Sequence, residues 1–376
     1  MPANLPPEYF KAEERYQRAK TLEEKIAATE ELIRVAPKHK GAEKLLKTLK
    51  RRLSRLRAEL EEKKARKSAG RGGRSFAVKR EGAAQVALVG FPNSGKSWVL
   101  RKLTNARVEV ADYPFTTTRP VPGMMDFEDI QVQIVEIPAI VEGSSFGRGL
   151  GSEPLSAARN SDIIAMVIDM THDPLKQLKV LVDELEGSGI RINRNPPKIT
   201  IKKTSSGGID IKGGELVEGG DAEVIRILQE HRIHNIFISI EEPVGSEEIE
   251  DALDTSTVYR SAFVIATKSR DPDSLRAIED SGFSVISADE DVHVLKKFVY
   301  EKLNLIRIYT KKPDEEPEKI PMVLPNGSTV IEVARKIHRD IEKSFNFARV
   351  WGSTKFPGQR VSRDYILHDK DIVELH

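Results

Sequence analysis

A glycine-rich run in the first third of the chain has the spacing of a phosphate-binding loop. Gly90-Phe91-Pro92-Asn93-Ser94-Gly95-Lys96-Ser97 fits the pattern G-x-x-x-x-G-K-[ST] and lies between a predicted strand, Gln85–Gly90, and a predicted helix, Val99–Leu103. Glycines let backbone N–H groups close around phosphate oxygens, Lys96 reaches the β- and γ-phosphates, and Ser97 offers a hydroxyl to Mg²⁺. Because the strand–loop–helix context favours this interpretation over a chance match, the sequence predicts a nucleoside triphosphate site.

Other residue types exclude several alternative chemistries. The 376-residue chain contains no Cys, which excludes a disulfide framework, a thiolate metal site and a cysteine nucleophile. Its eight His are scattered and show no HExxH spacing. His231 and His234 form an i,i+3 pair at the end of a predicted helix, a pattern more typical of a structural role than of a metal site.

The elements that must position the loop alternate between short apolar runs and helical stretches. Buried strands are predicted at Gln85–Gly90, Val132–Ile137, Ile163–Asp169, Ala262–Thr267 and Phe283–Ser287. Helices are predicted at Pro174–Leu185 and Asp273–Ser281. This alternation is typical of an α/β domain with a mostly parallel sheet that is covered on both faces.

Between about Gly187 and Thr255 the alternation is interrupted. Pro196-Pro197 and two glycine pairs surround a predicted strand at Ile199–Lys202, and a helix at Ala222–His231 precedes a strand at Ile236–Ile240. We interpret this segment as a small α+β insertion within the α/β domain.

The last 60 or so residues have the pattern of a compact unit of their own. Its predicted elements are a strand at Pro321–Leu324, a turn at Asn326-Gly327, a helix at Val330–Ile341, and strands at Ala348–Trp351 and Ile372–Leu375. Strands arranged around a single helix over about 60 residues suggest a β-grasp module. We expect Trp351 and Phe356 to belong to its core rather than to serve as stacking platforms for bases.

The N-terminal segment, from about Glu8 to Lys67, has helical periodicity. Five leucines recur at steps of four and three residues and share one face: Leu45, Leu49, Leu53, Leu56 and Leu60. An earlier apolar stripe contains Leu22, Ile26 and Ile33. Because Pro37–Gly41 between them is a good helix stop, the sequence predicts a two-helix hairpin.

The net charge of +2 conceals a strongly basic segment. Lys38–Arg80 contains 17 Lys and Arg against four Glu, a local charge of +13, which leaves the rest of the chain near −11. This segment is either a solvated helix face followed by a linker or, since so few acids are interleaved, a surface that contacts RNA phosphates. No run approaches the roughly 20 apolar residues of a membrane span, and no secretory signal is visible, so we expect a cytoplasmic location without membrane association.

The segment after the loop connects the chain to a known family. Asp112-Tyr113-Pro114-Phe115-Thr116-Thr117-Thr118, together with GFPNSGKS, resembles the Obg class of P-loop GTPases. Leu305–Lys311, which leads into the β-grasp unit, is similar to the developmentally regulated GTP-binding protein subfamily, including its archaeal members. Further matches are Arg191-Ile192-Asn193 with Pro196-Pro197, His234-Asn235, and Val350-Trp351-Gly352.

The resemblance implies five segments and a set of ligands. The segments are a basic helical hairpin and linker (1–80), a GTPase domain in two parts (83–186 and 257–305), an α+β insertion (187–256) and a TGS β-grasp domain (306–376) directed to RNA or the ribosome. The expected ligands are GTP or GDP with Mg²⁺. K⁺ is a further ligand if Asn93 helps to bind it near the phosphates, the alternative being that Asn93 only stabilises the loop. A regulatory protein partner is also compatible with the resemblance.

The resemblance also implies roles for individual residues. Lys96 and Thr117 would assist hydrolysis, with Thr116 as the alternative to Thr117. Ser97, Thr117 and Glu136 would hold the metal. The implied nucleotide-binding residues are Gly90, Phe91, Pro92, Asn93, Ser94, Gly95, Lys96, Ser97, Trp98, Ala139, Thr267, Lys268, Ser287 and Ala288.

Two motifs depart from the family pattern. D-x-x-G is replaced by Glu136-Ile137-Pro138-Ala139, where the carboxylate is longer by a methylene and the Cβ of Ala139 penalises positive φ. Ile140 stands where many GTPases carry a water-orienting Gln, so slow hydrolysis, or help from a cation or partner, is expected.

The second departure concerns base recognition. N-K-x-D is replaced by Thr267-Lys268-Ser269-Arg270, so the carboxylate that would read guanine is absent, and Asp271 follows one position too late. Loss of such a partner can remove about 10⁴-fold of base discrimination. Two hypotheses follow: a GTP-binding regulatory protein with slow hydrolysis, or a degenerate pseudo-GTPase that serves as an RNA- or ribosome-binding scaffold.

Overall fold

The computed structural model describes residues 6–19, 21–37, 78–104, 119–144, 153–231, 233–268 and 271–376, together with part of 45–60. The chain divides into two compact units. The first comprises Met1–Phe76, Ile140–Arg159 and Leu178–Ala262, and the second comprises Ala77–Ala139, Asn160–Gln177 and Phe263–His376. Within the described ranges, no helix is both long enough and apolar enough to cross a membrane.

The labelled helices and strands are numbered in chain order. The helices are α1 (Pro7–Arg18), α2 (Leu22–Val35), α3 (Lys96–Leu103), α4 (Glu153–Asn160), α5 (Pro174–Gly187), α6 (Gly220–Glu230), α7 (Ser246–Leu253), α8 (Pro272–Asp280), α9 (Val292–Leu303), α10 (Val330–Ile337) and α11 (Arg339–Ser344). The strands are β1 (Gln85–Val89), β2 (Val121–Phe127), β3 (Ile130–Glu136), β4 (Ile163–Asp169), β5 (Ile190–Ile192), β6 (Ile199–Lys203), β7 (Ile209–Lys212), β8 (Ile236–Ile240), β9 (Val258–Thr267), β10 (Val285–Ser287), β11 (Leu305–Lys311), β12 (Met322–Pro325), β13 (Ala348–Trp351), β14 (Gln359–Val361) and β15 (Asp371–Leu375).

The N-terminal helices differ from the predicted hairpin in one respect. The stretch expected to form its first helix contains two, because Thr21 starts α2 with a capping box: its hydroxyl accepts from the Glu24 N–H and its own N–H donates to the Glu24 carboxylate. Leu49, Leu53 and Leu56 of the predicted stripe are buried. The predicted turn at 38–41 lies outside the described residues.

The sheet that carries the phosphate loop has the strand order β10-β9-β4-β1-β3-β2. Strand β1 lies in parallel between β3 and β4, and β10 pairs in parallel with β9, so the carboxyl ends of these strands share one edge. Strands β1 and β4 are buried along their whole length, as their continuous apolar sequences predict. The unpredicted strand β2 runs antiparallel to β3 at the sheet margin.

The insertion contains a three-stranded sheet of order β6-β8-β7 with the helices α6 and α7. Its core includes Val224, Ile227, Ile238 and Ile249. Strand β7 and helix α7 are additions to the predicted elements. The four residues of β7 lie between two glycine pairs and are too few to show a period in sequence.

The C-terminal domain is a five-stranded sheet of order β12-β11-β15-β13-β14 with a parallel pair, β11 and β15, at its centre. The α/β fold class with its α+β insertion and C-terminal β-grasp unit is therefore confirmed. The helix predicted to reach Ile341 is divided at His338, whose backbone is extended. The expectation that Trp351 and Phe356 are core residues is wrong: Trp351 is only partly buried and Phe356 is 62% exposed.

Within the second unit, Arg307 of β11 joins the C-terminal domain to the turn between β2 and β3. Its guanidinium donates to Asp369 (2.6 Å) and to Glu128 (2.5 Å) and Asp129 (3.0 Å) of that turn, while its side chain is only 3% exposed. The hydrogen bond to Asp369 is the largest cause that raises the pKa of Arg307 above its usual value. Burial opposes this shift, and the bonds to Glu128 and Asp129 add to it. The C-terminal domain thus contacts the hairpin whose strand β3 ends at Glu136.

Candidate nucleotide-binding site

The phosphate loop occupies the gap between the end of β1 and the start of α3. A Cβ on Gly90 would lie 2.6 Å from the Val167 carbonyl oxygen and from Ser94 Oγ, so the backbone passes too close for a side chain. Gly95 has a φ of +93°, and a Cβ there would approach Thr267 at 3.2 Å. Both glycines of the motif are therefore required by the local geometry.

Lys96 lies beneath this loop. Its ammonium donates to the carbonyl oxygens of Gly90 (3.0 Å) and Phe91 (2.8 Å), and the residue is only 5% exposed. Burial lowers its pKa to about 8, and the negative charge of Glu136 opposes that shift only in part. The positive charge of Lys96 is therefore only partly neutralised by Glu136, and a bound anion would stabilise it.

Ser97 and Glu136 place two side-chain oxygens at the same edge of the sheet. The Ser97 hydroxyl donates to Glu136 Oε1 at 2.7 Å, and Glu136, at the end of β3, is buried. Within the described ranges there is no cluster of three or more metal-ligating His, Cys, Asp or Glu. Mg²⁺ is normally held by one or two protein oxygens plus phosphates and water, so the Ser97–Glu136 pair fits a nucleotide-bound Mg²⁺.

Ala139 follows Glu136 by three residues, beyond the end of β3. Its backbone is outside the left-handed region, so the predicted penalty of its Cβ is not incurred in this conformation. The residue is partly exposed.

Thr267 ties the base side of the site to the phosphate loop. Its hydroxyl lies 2.7 Å from the Ser94 carbonyl oxygen and 3.0 Å from that of Ile168, and the residue is 3% exposed. A threonine in place of the family asparagine therefore still cross-links the loop, β4 and β9.

Lys268 has a φ of +65° and donates through Nζ to Asp169 Oδ2 at 2.5 Å. Burial of Asp169 favours its neutral form, but the bonds from Lys268 and Thr171 outweigh that effect and hold the pKa of the carboxyl below its usual range. Asp169 was not predicted as a site residue. The signal in the sequence is its position as the acidic residue that ends the apolar strand β4.

Ser287 and Ala288 lie at the carboxyl end of β10, beside Thr267 and Lys268. Both are buried, and the Ala288 N–H donates to the Ala266 carbonyl at 2.7 Å. Lys102 of α3, also not predicted, donates to the carbonyls of Ala288 (2.7 Å) and Glu290 (2.6 Å) and so connects this loop to the helix that follows the phosphate loop.

Trp98 lies in the first turn of α3, where its backbone N–H faces the loop end of the helix. Its indole ring is turned outward: the residue is 40% exposed, and the ammonium of Lys102 lies 5.0 Å from the ring centroid. Any contact of Trp98 with a phosphate would therefore be made by its backbone.

The described residues among the predicted site residues thus converge on one edge of one sheet. Thr117 and its alternative Thr116 lie outside the described residues, as does Arg270 of the departing motif. Asp271 caps α8 by accepting from the Ser274 N–H (3.0 Å) and Oγ (2.6 Å). Its carboxylate is therefore engaged in the helix cap of α8.

Comparison with known proteins agrees with this geometry. Residues 85–203 match the family described as 50S ribosome-binding GTPase, and residues 306–376 match the TGS domain. The loop, the sheet and the C-terminal unit thus define a P-loop GTPase with a TGS domain.

Relatives extend the match to almost the whole chain. An uncharacterized GTP-binding protein of Methanocaldococcus jannaschii is 37% identical over 367 residues, covering 94% of this chain and 92% of that protein. Developmentally-regulated GTP-binding protein 1 of Xenopus laevis is 34% identical over 362 residues, covering 93% and 98%. The YchF GTPase structure from Schizosaccharomyces pombe covers 81% of this chain and all of that one at 16% identity, with a TM-score of 0.44. The chain belongs to the developmentally regulated GTP-binding protein family.

Proposed function

We propose that the protein is a cytoplasmic GTP-binding regulatory protein that hydrolyses GTP slowly and acts with RNA or the ribosome in translation-related processes. The observation that carries the nucleotide part is the buried Lys96 within an intact phosphate loop, with Ser97 and Glu136 beside it. The RNA part is supported by the charge of +13 in Lys38–Arg80 and by the C-terminal TGS domain.

Hydrolysis would proceed by attack of water on the γ-phosphate. Lys96 and the backbone N–H groups of the loop would stabilise the charge that develops on the phosphate oxygens. Ser97, Glu136 and Thr117 would hold Mg²⁺, which supplies further positive charge when bound. Because Ile140 cannot orient water, the unassisted rate would be low, and K⁺ near Asn93 or a regulatory protein partner would raise it.

The second candidate function is a pseudo-GTPase scaffold that binds RNA or the ribosome. It is favoured by Arg270 in the base-recognition motif and by the engagement of Asp271 in the cap of α8. Such a protein would bind nucleotide without base preference or not at all.

Calorimetric titration with GTP, GDP and ATP in the presence of Mg²⁺ separates the two candidates. The GTPase predicts micromolar GTP binding that is lost in Lys96→Ala and retained in Lys297→Ala, a control at an exposed lysine of α9. Equal affinity for GTP and ATP would refute a guanine-directed switch. Binding that depends on Lys96 would refute a nucleotide-free scaffold.

RNA binding has a separate test. Deletion of Lys38–Arg80 is expected to flatten the dependence of RNA affinity on salt, since each phosphate contact in a duplex contributes about 0.9 to the slope of log K against log salt. An unchanged slope would show that this segment does not contact phosphates.

A further inference from the structure

Residues 287–291 connect β10 to α9 and are here called the base loop, since the family resemblance places the base contact at its first two residues. At its start, the Ala288 N–H donates to the Ala266 carbonyl of β9 at 2.7 Å. At its end, the Asp291 carboxylate accepts from the His293 N–H at 2.8 Å and so caps α9. The two ends of the base loop are thus fixed by β9 and α9, and its middle requires a separate anchor.

A lysine of α3 supplies that anchor. Lys102 Nζ donates to the Ala288 carbonyl at 2.7 Å and to the Glu290 carbonyl at 2.6 Å. Trp98, one turn earlier on α3, places its ring centroid 5.0 Å from the same ammonium, an arrangement that favours a cation. An ammonium has three N–H donors, so two carbonyls and one aromatic face can engage all of them.

Helix α3 is a rigid support for this lysine. Its residues Val99, Leu100 and Leu103 are at most 1% exposed and belong to the apolar core that surrounds β1 and β4. The helix begins at Lys96, six residues before Lys102, which separates the two by about 9 Å along the axis at 1.5 Å per residue. One short helix therefore carries the lysine of the phosphate loop at its start and the lysine that fastens the base loop near its end.

A base loop that is already in place loses less free energy when a nucleotide binds. Ordering a loop upon binding offsets part of the interaction free energy, and Lys102 removes this cost by holding two carbonyls of the base loop in the free protein. The sequence has Arg270 where the family pattern has a guanine-reading carboxylate. The backbone of the base loop would therefore supply a greater share of the contacts to the base, and its position would matter more.

We propose that Lys102 is a positioning residue for nucleotide binding, which holds the base loop at a fixed distance from the phosphate loop. This proposal rests on the proposed nucleotide-binding function and adds to it a residue whose own hydrogen bonds go to protein carbonyls. Lys102 thus acts on the base contact through the base loop, whereas Lys96, on the same helix, acts at the phosphates.

The test compares the full-length parent chain with Lys102→Met, which keeps a long apolar side chain but removes the donors. Calorimetric titration with GDP and Mg²⁺ is expected to show an affinity weaker by about tenfold, equivalent to one hydrogen bond to a charged group near the low end of its usual contribution. Hydrogen–deuterium exchange of the nucleotide-free chain should be faster, also by about tenfold, in peptides that cover 287–291. Exchange in peptides that cover 90–97 should not change.

Three further variants control this experiment. Lys102→Arg keeps charged donors and should retain most of the GDP affinity and the slow exchange of the base loop. Arg101→Met changes the neighbouring residue of α3, which is exposed, and should alter neither quantity. If urea unfolding shows that Lys102→Met does not fold, Lys102→Gln takes its place, with a smaller loss expected because its amide keeps a neutral donor.

Several results would overturn the proposal. An unchanged GDP affinity in Lys102→Met would show that the anchor does not affect nucleotide binding. Weaker binding with unchanged exchange over 287–291, or with an equal rise over 90–97, would show that Lys102 supports α3 rather than the base loop. An equal loss in Lys102→Arg would show that the donors are not the cause. These results leave the proposed nucleotide-binding function intact, whereas a parent chain that binds no GDP would contradict both.

Discussion

The buried ammonium of Lys96 makes nucleotide affinity depend on pH. In the free protein its pKa is about 8, because burial disfavours the charged form. Phosphate oxygens beside Nζ favour the charged form and raise that pKa. Nucleotide binding above pH 8 must therefore be accompanied by proton uptake, and the affinity must fall as the pH rises.

The magnitude follows from the fraction of free protein that is protonated. With a pKa of about 8, that fraction is about one half at pH 8 and about one eleventh at pH 9. The dissociation constant for GDP should thus rise about tenfold between pH 7 and pH 9. The last phosphate proton of a nucleotide is lost near pH 6, below this window, and does not contribute.

The assay is calorimetric titration with GDP at several pH values, repeated in two buffers of different ionisation enthalpy to count the protons taken up. Lys96→Arg is the matched control, because its side chain stays charged throughout and its pH profile should be flat. A flat profile for the parent chain, or no proton uptake at pH 9, would refute the reasoning that the loop holds a cation destabilised by burial.

Three further predictions concern stability and are measured by urea unfolding. Lys96→Met relieves a charge penalty of up to about 3 kcal/mol at pH 7, offset by the donor that the Gly90 and Phe91 carbonyls lose. The stability of the variant relative to the parent should fall from pH 8 to 10.5, as the unfavourable charge is lost from the folded parent; a difference that does not change with pH would contradict the lowered pKa. Thr267→Val should cost about 1–3 kcal/mol, since the buried Ser94 and Ile168 carbonyls lose a donor, and Thr200→Val on β6 is the control. Arg307→Met should cost about 2–4 kcal/mol, somewhat less than a wholly buried pair because its carboxylate partners can rehydrate, while Arg335→Met, at an exposed pair, should change little.

The strands that were predictable from sequence are buried along their whole length and consist of continuous apolar runs. Strand β4 was predicted with its observed bounds. All seven of its positions are buried, so apolar and polar residues do not alternate along it. Strand β2 was missed because it lies at the margin of the sheet, where exposed positions and a proline interrupt the apolar pattern. The division at His338 was missed because the residues on both sides of it favour helix.

The phosphate loop was predictable because Gly90–Ser97 are contiguous in sequence and fit one motif, whereas Glu136, which bonds to Ser97, lies 39 positions away. The base half was only partly predictable, since its contacts join residues that are far apart in the chain. The pairs Ser94–Thr267 and Asp169–Lys268 are 173 and 99 positions apart, and no local pattern indicates either bond. Only the strand order, which places β4 beside β9, brings these side chains together.

Affinity for the phosphates and discrimination between bases depend on different residues of the site. On the proposed function, Lys96, the loop N–H groups and the Ser97–Glu136 pair would act on phosphates and Mg²⁺ and would set affinity for any nucleoside triphosphate. In the family pattern a carboxylate reads guanine; here the sequence has Arg270 at that position, and the following Asp271 caps α8.

Thr267 and the Asp169–Lys268 pair nevertheless keep the base half in place, since one cross-links the phosphate loop and the other orients the lysine stem. On the scaffold hypothesis this arrangement would hold a base by stacking and shape alone, which differ little between guanine and adenine, whereas the GTPase hypothesis requires a preference for GTP. The ratio of GTP to ATP affinity therefore measures the base half alone, and the dependence of either affinity on Lys96 measures the phosphate half. If nucleotide affinity depends on Lys96 but the ratio of GTP to ATP affinity approaches one, the protein would respond to triphosphate charge rather than to guanine.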